Sequence, residues 1–154
     1  MASSPRASSP DAPFAFRDPG PLTDGELSLV IDYRSPSDPA RGWIPTYHFG
    51  LRVEGRRIGG IELRVDHGGA LDHSTGHVGY FVEPAWRGRG FAARAGRLLL
   101  PLARAHGLRR LWLLCDADNL ASRRTCERLG AVLVPADTPA ACRYRLDLRA
   151  PDER

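Results

Sequence analysis

Apolar residues recur with a period of two through the first half of the chain and with a helical period beyond residue 90. Glu26–Arg34 (ELSLVIDYR), Tyr47–Val53 and Arg57–Val65 alternate as half-buried strands do, and Glu54-Gly55-Arg56 supplies a turn between the last two. Ser35–Pro45 holds three prolines and a glycine and reads as a loop, as does the His/Gly/Asp-rich stretch Asp66–Thr75. Gly76–Val82 returns to strand. From Gly90 to His106 the apolar positions Ala92, Ala95, Leu98, Leu99, Leu102 and Ala103 form a helical stripe, ended by Gly107. Pro101 lies inside that stripe and removes the donor for the Arg97 carbonyl. Leu108–Cys115 has the short apolar run of a buried strand. Asn119 caps a second helix that ends at Leu129-Gly130, and Ala131–Pro135 and Cys142–Leu148 close the chain as strands.

Hairpins first, then strand–helix–strand–helix, then two strands: the order predicts a mixed α/β domain. Its sheet is largely antiparallel, with one parallel strand–helix–strand crossover. The 154 residues suffice for one core, placed here over 22–150. Residues 1–21, rich in Pro, Ser and Ala, read as a mobile tail from which Phe14 and Phe16 can dock on the body, and 151–154 as a second tail. No stretch approaches the roughly 18–20 apolar residues of a membrane span, and the first ten residues carry no apolar core of a signal peptide. The three cysteines are odd in number and lack metal-site spacing, which points to a reducing, cytoplasmic setting. All 22 basic residues are arginines, interspersed with 18 acidic ones. The net charge of +4 favours an anionic ligand, and the absence of a basic block argues against a nucleic-acid partner.

The chemistry concentrates in Val82-Glu83-Pro84-Ala85-Trp86-Arg87-Gly88-Arg89-Gly90-Phe91-Ala92, where a strand turns into a helix N-terminus. Unpaired backbone N–H groups and the positive end of the helix dipole make an anion site there, glycines let the backbone approach a phosphate, and Arg87 and Arg89 add charge. The alternative is a tight turn that needs glycine only for a positive φ. Gly88-x-Gly90-x-x-Ala93 also fits a dinucleotide fingerprint, with Asp116 downstream. Five residues including Pro84 separate strand from glycine, however, and only 64 residues follow Gly90, ending in a hairpin-like pair. A Gly-Lys-Ser/Thr phosphate loop is excluded in a chain without lysine.

Arg87-x-x-Gly90-x-Ala92, following Val82-x-Pro84, resembles the R/Q-x-x-G-x-G/A acyl-CoA signature of the GCN5-related N-acetyltransferase (GNAT) family. Asn119-x-x-Ser122 with Glu127, Leu129 and Gly130 is similar to that family's next motif, and the resemblance covers about 26–148. Gly76-His77-Val78-Gly79-Tyr80 resembles a bacterial branch of acetyltransferases. The resemblance implies acetyl-CoA as co-substrate in a wedge between the strands at 76–82 and 108–115. Backbone groups of Phe81 and Val82 would hold the pantetheine arm, Arg87, Gly88, Arg89, Gly90, Phe91 and Ala92 the pyrophosphate, and Asn119 and Ser122 would face the pantetheine or sulfur end. It implies acetyl transfer to a primary amine of a small molecule or peptide, without a metal.

Two departures stand out. Many members of the family carry a tyrosine acid four residues after the Ser122 position, where this chain has Cys126, a substitute thiol acid or a small buried filler. The helices that usually follow the first strand have no room in Ser35–Pro45, so they are shortened or absent. The acceptor groove is then open, or completed by the tail or by a second subunit of a homodimer. Trp43, Tyr47 and Tyr80 are candidates to line it, while Trp86 and Trp112 read as core or subunit contact. As base, His77 comes first, with Glu62, Asp66 and His67 as rivals; Asp66, His67, Asp72, His73 and His77 form a weak metal pattern. A non-catalytic acyl-CoA-binding relative and a basic nucleic-acid module are the competing functions.

Overall fold

A computed structural model describes residues 14–67, 71 and 75–148. Residues 1–13 of the tail expected at 1–21, the tail expected at 151–154, and Asp72 and His73 of the loop lie outside the described residues. Strands β1 (Leu22–Thr23), β2 (Leu27–Ser35), β3 (Thr46–Val53), β4 (Arg56–Arg64) and β5 (Val78–Val82) form an antiparallel sheet in sequence order. A second sheet runs β6 (Arg110–Asp116), β8 (Ala141–Asp147), β7 (Val132–Val134). Helix α1 (Phe91–Ala105) joins β5 to β6, and α2 (Leu120–Arg128) joins β6 to β7.

Alternation sets the core. In β3, Tyr47, Phe49, Leu51 and Val53 face inward with Leu27 and Leu29 of β2 and Ile58, Ile61 and Leu63 of β4. Leu99, Leu102 and Ala95 on the apolar stripe of α1 cover that face. The helix continues through the exposed Pro101. Between β2 and β3 only a short 3-10 turn, Pro39–Arg41, takes the place of helices; the Asp38 side chain accepts from the Arg41 N–H to cap it. Phe14 and Phe16 do dock on the body. Phe14 stacks on His106 with centroids 5.0 Å apart, Phe16 packs edge-on against Tyr47, and the Tyr47 hydroxyl meets His106 Nε2 at 2.5 Å.

The crossover departs from expectation in one respect. It exists as the connection β5–α1–β6, but every ladder among the described residues is antiparallel, and β5 and β6 do not share one. Gly76, expected inside a strand, has a φ of 72° and forms a lone bridge to Leu113. A Cβ there would stand 2.4 Å from the Trp112 carbonyl oxygen, so the backbones touch only because residue 76 is glycine. Past this contact β5 stays with β4 and β6 with β8, and the strands part.

A salt bridge holds the start of α1 against the first hairpin. Arg94 donates from Nε to Asp24 Oδ2 (2.7 Å), from Nη2 to Asp24 Oδ1 (2.8 Å) and from Nη1 to Glu26 Oε1 (2.6 Å). Hydrogen bonding from Arg94 is the main cause that brings the Asp24 carboxyl down from 3.8 to about 2. A lowered carboxylate pKa means the unfolded state binds the proton more readily. The stabilisation is therefore full above about pH 4 and is lost as pH falls towards 2. Urea midpoints measured from pH 5 to pH 2 should fall, and Arg94→Met should flatten the part of that fall due to Asp24.

Candidate active site

The turn that follows β5 leaves the N-terminus of α1 without a side-chain cap. Pro84–Trp86 makes a short 3-10 turn, Gly88 and Gly90 take left-handed φ values of 78° and 79°, and Gly90 occupies the N-cap of α1. No side chain caps that N-terminus and its first turn carries no acidic residue. Its leading N–H groups and dipole thus face outward uncompensated. The Arg128 guanidinium lies over the turn, 3.5 Å from where a Gly90 Cβ would be.

Beside the turn, where β5 parts from β6, lies a cleft of about 480 Å³ between β5, the N-terminus of α1 and α2. Phe81, Val82, Arg87, Gly88, Gly90, Phe91, Ala92, Asn119 and Ser122 all line it, so the structure brings together most of the residues singled out as cofactor-binding. Asn119 accepts through Oδ1 from the Ser122 N–H at 3.1 Å and so caps α2 while standing on the cleft wall. Arg89 is the exception: its guanidinium stacks over Trp86 at 5.0 Å, and it does not line the cleft. Arg87 anchors through Nε to the Val82 carbonyl at 2.8 Å. Trp86, expected in the core or at a subunit contact, is a cleft residue.

Sequence reasoning missed Arg124, Thr125 and Arg128, which line the same cleft from α2. Their spacing after Ala121 places all four on one helical face, and that period was readable. The lining carries three arginines and no carboxylate.

The two expected catalytic side chains lie elsewhere. His77 is 4% exposed and both ring nitrogens are engaged by backbone. The Trp112 N–H donates to Nδ1 at 2.9 Å, so the proton sits on Nε2, which donates to the Asp66 carbonyl at 3.2 Å. With the His77 N–H donating to the Trp112 carbonyl at 2.8 Å, this residue clasps the two sheets together. The ring has no lone pair to offer a substrate, which corrects its reading as the base. Cys126 is 2% exposed, and burial, the largest cause, pushes its thiol up to about 12. The side chain is buried in the core and does not line the cleft, so its packing favours the core-filler reading of Cys126 over the acid.

A second, shallower pocket of about 290 Å³ opens on the other side of Tyr80 and Phe81, which line both. Its polar centre is a chain of side chains from three strands. The Ser35 hydroxyl meets His48 Nε2 at 2.8 Å, and His48 Nδ1 meets Glu62 Oε2 at 3.2 Å. Arg64 pairs with Glu62 Oε1, and Tyr33 stacks flat on the His48 ring with centroids 4.0 Å apart. Burial, the dominant cause, draws the His48 pKa below the ordinary imidazole value against the opposing pull of Glu62. Glu62 was a rival base in the sequence; His48 and Ser35 were not foreseen. Tyr47 is wholly buried and Trp43 lies under Arg41, so of the three aromatics expected on this side only Tyr80 lines the pocket. Trp112 is buried under the Arg143 guanidinium at 3.8 Å. Among the described residues no group of three or more His, Cys, Asp or Glu side chains is placed to hold a metal, and no helix is long and apolar enough to cross a membrane.

Two diverging sheets, a glycine turn at a helix N-terminus and a cleft with three arginines between β5, α1 and α2 define the class of protein. The sequence profile of the Acetyltransferase (GNAT) family matches residues 16–131, and the chain belongs to that family. Among solved structures it is similar to the GNAT domain of S. lividans PAT at 20% identity (67% of this chain, 61% of that one, TM-score 0.57). It is similar also to RimL, a ribosomal alpha-N-protein acetyltransferase, in complex with Coenzyme A (12% identity, 83% and 98% covered, TM-score 0.64). A third is an acetyltransferase from Agrobacterium tumefaciens (21% identity, 86% and 96% covered, TM-score 0.60). At these identities the likeness is one of fold, and the chain spans less than two thirds of the S. lividans chain. No curated protein matches the sequence.

Replacing His77 by alanine strands the buried Trp112 N–H and removes the partly buried bond to the Asp66 carbonyl. The expected cost is about 2 kcal/mol, since a buried unpaired group costs roughly 1–3 kcal/mol. Urea unfolding measures it, and a loss below about 1 kcal/mol would contradict the clasp.

Proposed function

We propose that this protein transfers the acetyl group of acetyl-CoA directly to a primary amine of a small molecule or peptide. The observation that carries the reading is the cleft lined by three arginines and no carboxylate, opening on an uncapped helix N-terminus. A diphosphate carried on an apolar arm suits a cleft lined by these arginines together with Phe91, Val82 and Ala121. Backbone N–H groups from Gly88 to Ala92 would bind the pyrophosphate, with Arg87, Arg124 and Arg128 screening its charge. The backbone of Phe81 and Val82 would hold the pantetheine arm, and Asn119 and Ser122 would face its sulfur end.

The acceptor enters through the second pocket, so that the Tyr80–Phe81 wall separates the two substrates. There Glu62, fixed by Arg64 and His48, receives the ammonium form of the acceptor and takes its proton. The free amine then attacks the thioester carbonyl. Holding amine and thioester in line across β5 supplies most of the rate, as expected for a reaction between two neutral groups.

Isothermal titration should detect acetyl-CoA and CoA, with NADH and ATP binding far more weakly. A panel of primary amines should then release thiol. Glu62→Gln is expected to lower kcat by about 10²-fold, the lower end of what a general base contributes, with acetyl-CoA affinity preserved. Selective binding of CoA without thiol release from any amine would indicate a non-catalytic relative. NADH binding in place of CoA would restore the dinucleotide reading of the glycine turn.

A further inference from the structure

A departing thiolate needs a proton or a donor, and the usual place for it on α2 is filled here by the buried thiol of Cys126. Three other hydroxyls line the cleft: Ser122, Thr125 and Tyr80. Thr125 already donates to the Ala121 carbonyl at 3.1 Å. Alkanol hydroxyls are also far too weak as acids to match a thiol, whereas a phenol, ordinarily near 10, lies within about two units of one. Tyr80 is distinguished by position as well. It lines both pockets, so its ring stands at the one wall that amine and thioester must both reach. Its hydroxyl crosses from β5 to α2, where it meets the Thr125 side chain and donates to the Ser122 carbonyl over a long 3.4 Å, a bond weak enough to redirect. Burial raises the phenol's pKa, which keeps the proton on the oxygen at neutral pH.

We propose that Tyr80 is the general acid of the acetyl transfer, delivering its phenolic proton from strand β5 to the CoA sulfur. The proposal rests on the acetyltransferase reading above. As the tetrahedral intermediate collapses, the carbon–sulfur bond breaks and the sulfur keeps the electron pair. The Tyr80 O–H bond breaks and an S–H bond forms. The proton shed by the new amide nitrogen returns the phenolate to phenol, and no further reactant is needed. The small residue at 126 is the counterpart of this arrangement, since a larger side chain would compete with the Tyr80 ring for the space between β5 and α2.

Tyr80→Phe keeps the ring and removes only the hydroxyl with its long bond, so the fold should survive. In the full chain, with acetyl-CoA and an amine that the parent accepts, kcat should fall by about 10²-fold. The KM for acetyl-CoA and the CoA affinity by titration should each stay within about twofold, because the interaction is made in the transition state. A parent that turns over while Tyr80→Phe matches its kcat within twofold overturns the role of Tyr80 alone. So does a loss that lies wholly in KM. A parent that releases no thiol overturns the acetyltransferase reading and the acid with it.

Discussion

The two sheets touch at Gly76 and His77 and separate beyond them, and that single clasp determines where a ligand can lie. His77 closes it with one backbone hydrogen bond and two ring hydrogen bonds, and the one from the Trp112 N–H lies in a buried setting where an unpaired group is costly. Gly76 permits it by letting the backbone pass within contact of Trp112. Had β5 and β6 continued as one ladder, their N–H and C=O groups would be paired to each other. Because they part, the β5 edge faces a cleft, and the helix that follows aims its N-terminus along the same opening.

The two pockets on either side of Tyr80 and Phe81 differ in electrostatic character. Among the described residues, the only charges lining the cleft are positive, those of Arg87, Arg124 and Arg128. The second pocket mixes Asp32 and Glu62 with Arg57, and each carboxylate there has an arginine partner. A polyanion is favoured on one side and an ammonium can meet a carboxylate on the other. Phe81, 53% exposed, stands between them with Arg57 over its ring. The short 35–45 connection leaves the second pocket uncovered by helices, and Phe14 and Phe16 pack against Tyr47 and His106 instead.

Features confined to one stretch of chain were legible. The glycine turn at 87–92, the Asn119 cap, the apolar stripe of α1 and the core alternation of β3 each follow from local stereochemistry, and strand limits agree within a residue or two. Features that join distant strands were not. His48 and Glu62 meet because β3 and β4 pair at that register, and the register changes between Leu51 and Arg52. A hairpin continued from the Val53–Arg56 pair without that bulge would set His48 opposite Ile61, on the wrong face for a carboxylate partner. Nor does any spacing in the chain reveal that Tyr80 reaches Ser122, 42 residues away.

The amino-acid sequence by itself determined the order of elements, the glycine turn before α1 and membership of the GNAT family, because helix starts, glycine turns and binary patterning are written over a few residues each. Tertiary structure alone decided which polar side chains are spent on the fold and which face a ligand. His77 and Cys126 look reactive in one dimension and are consumed by burial and backbone partners in three. Arg124 and Arg128 look like ordinary surface charges until helix rotation brings them to the cleft, and Glu62, a candidate from the sequence, meets His48 only through strand register. The physical reason is that a side chain's chemistry depends on its desolvation and its partners, and both are set by contacts between residues far apart in the chain.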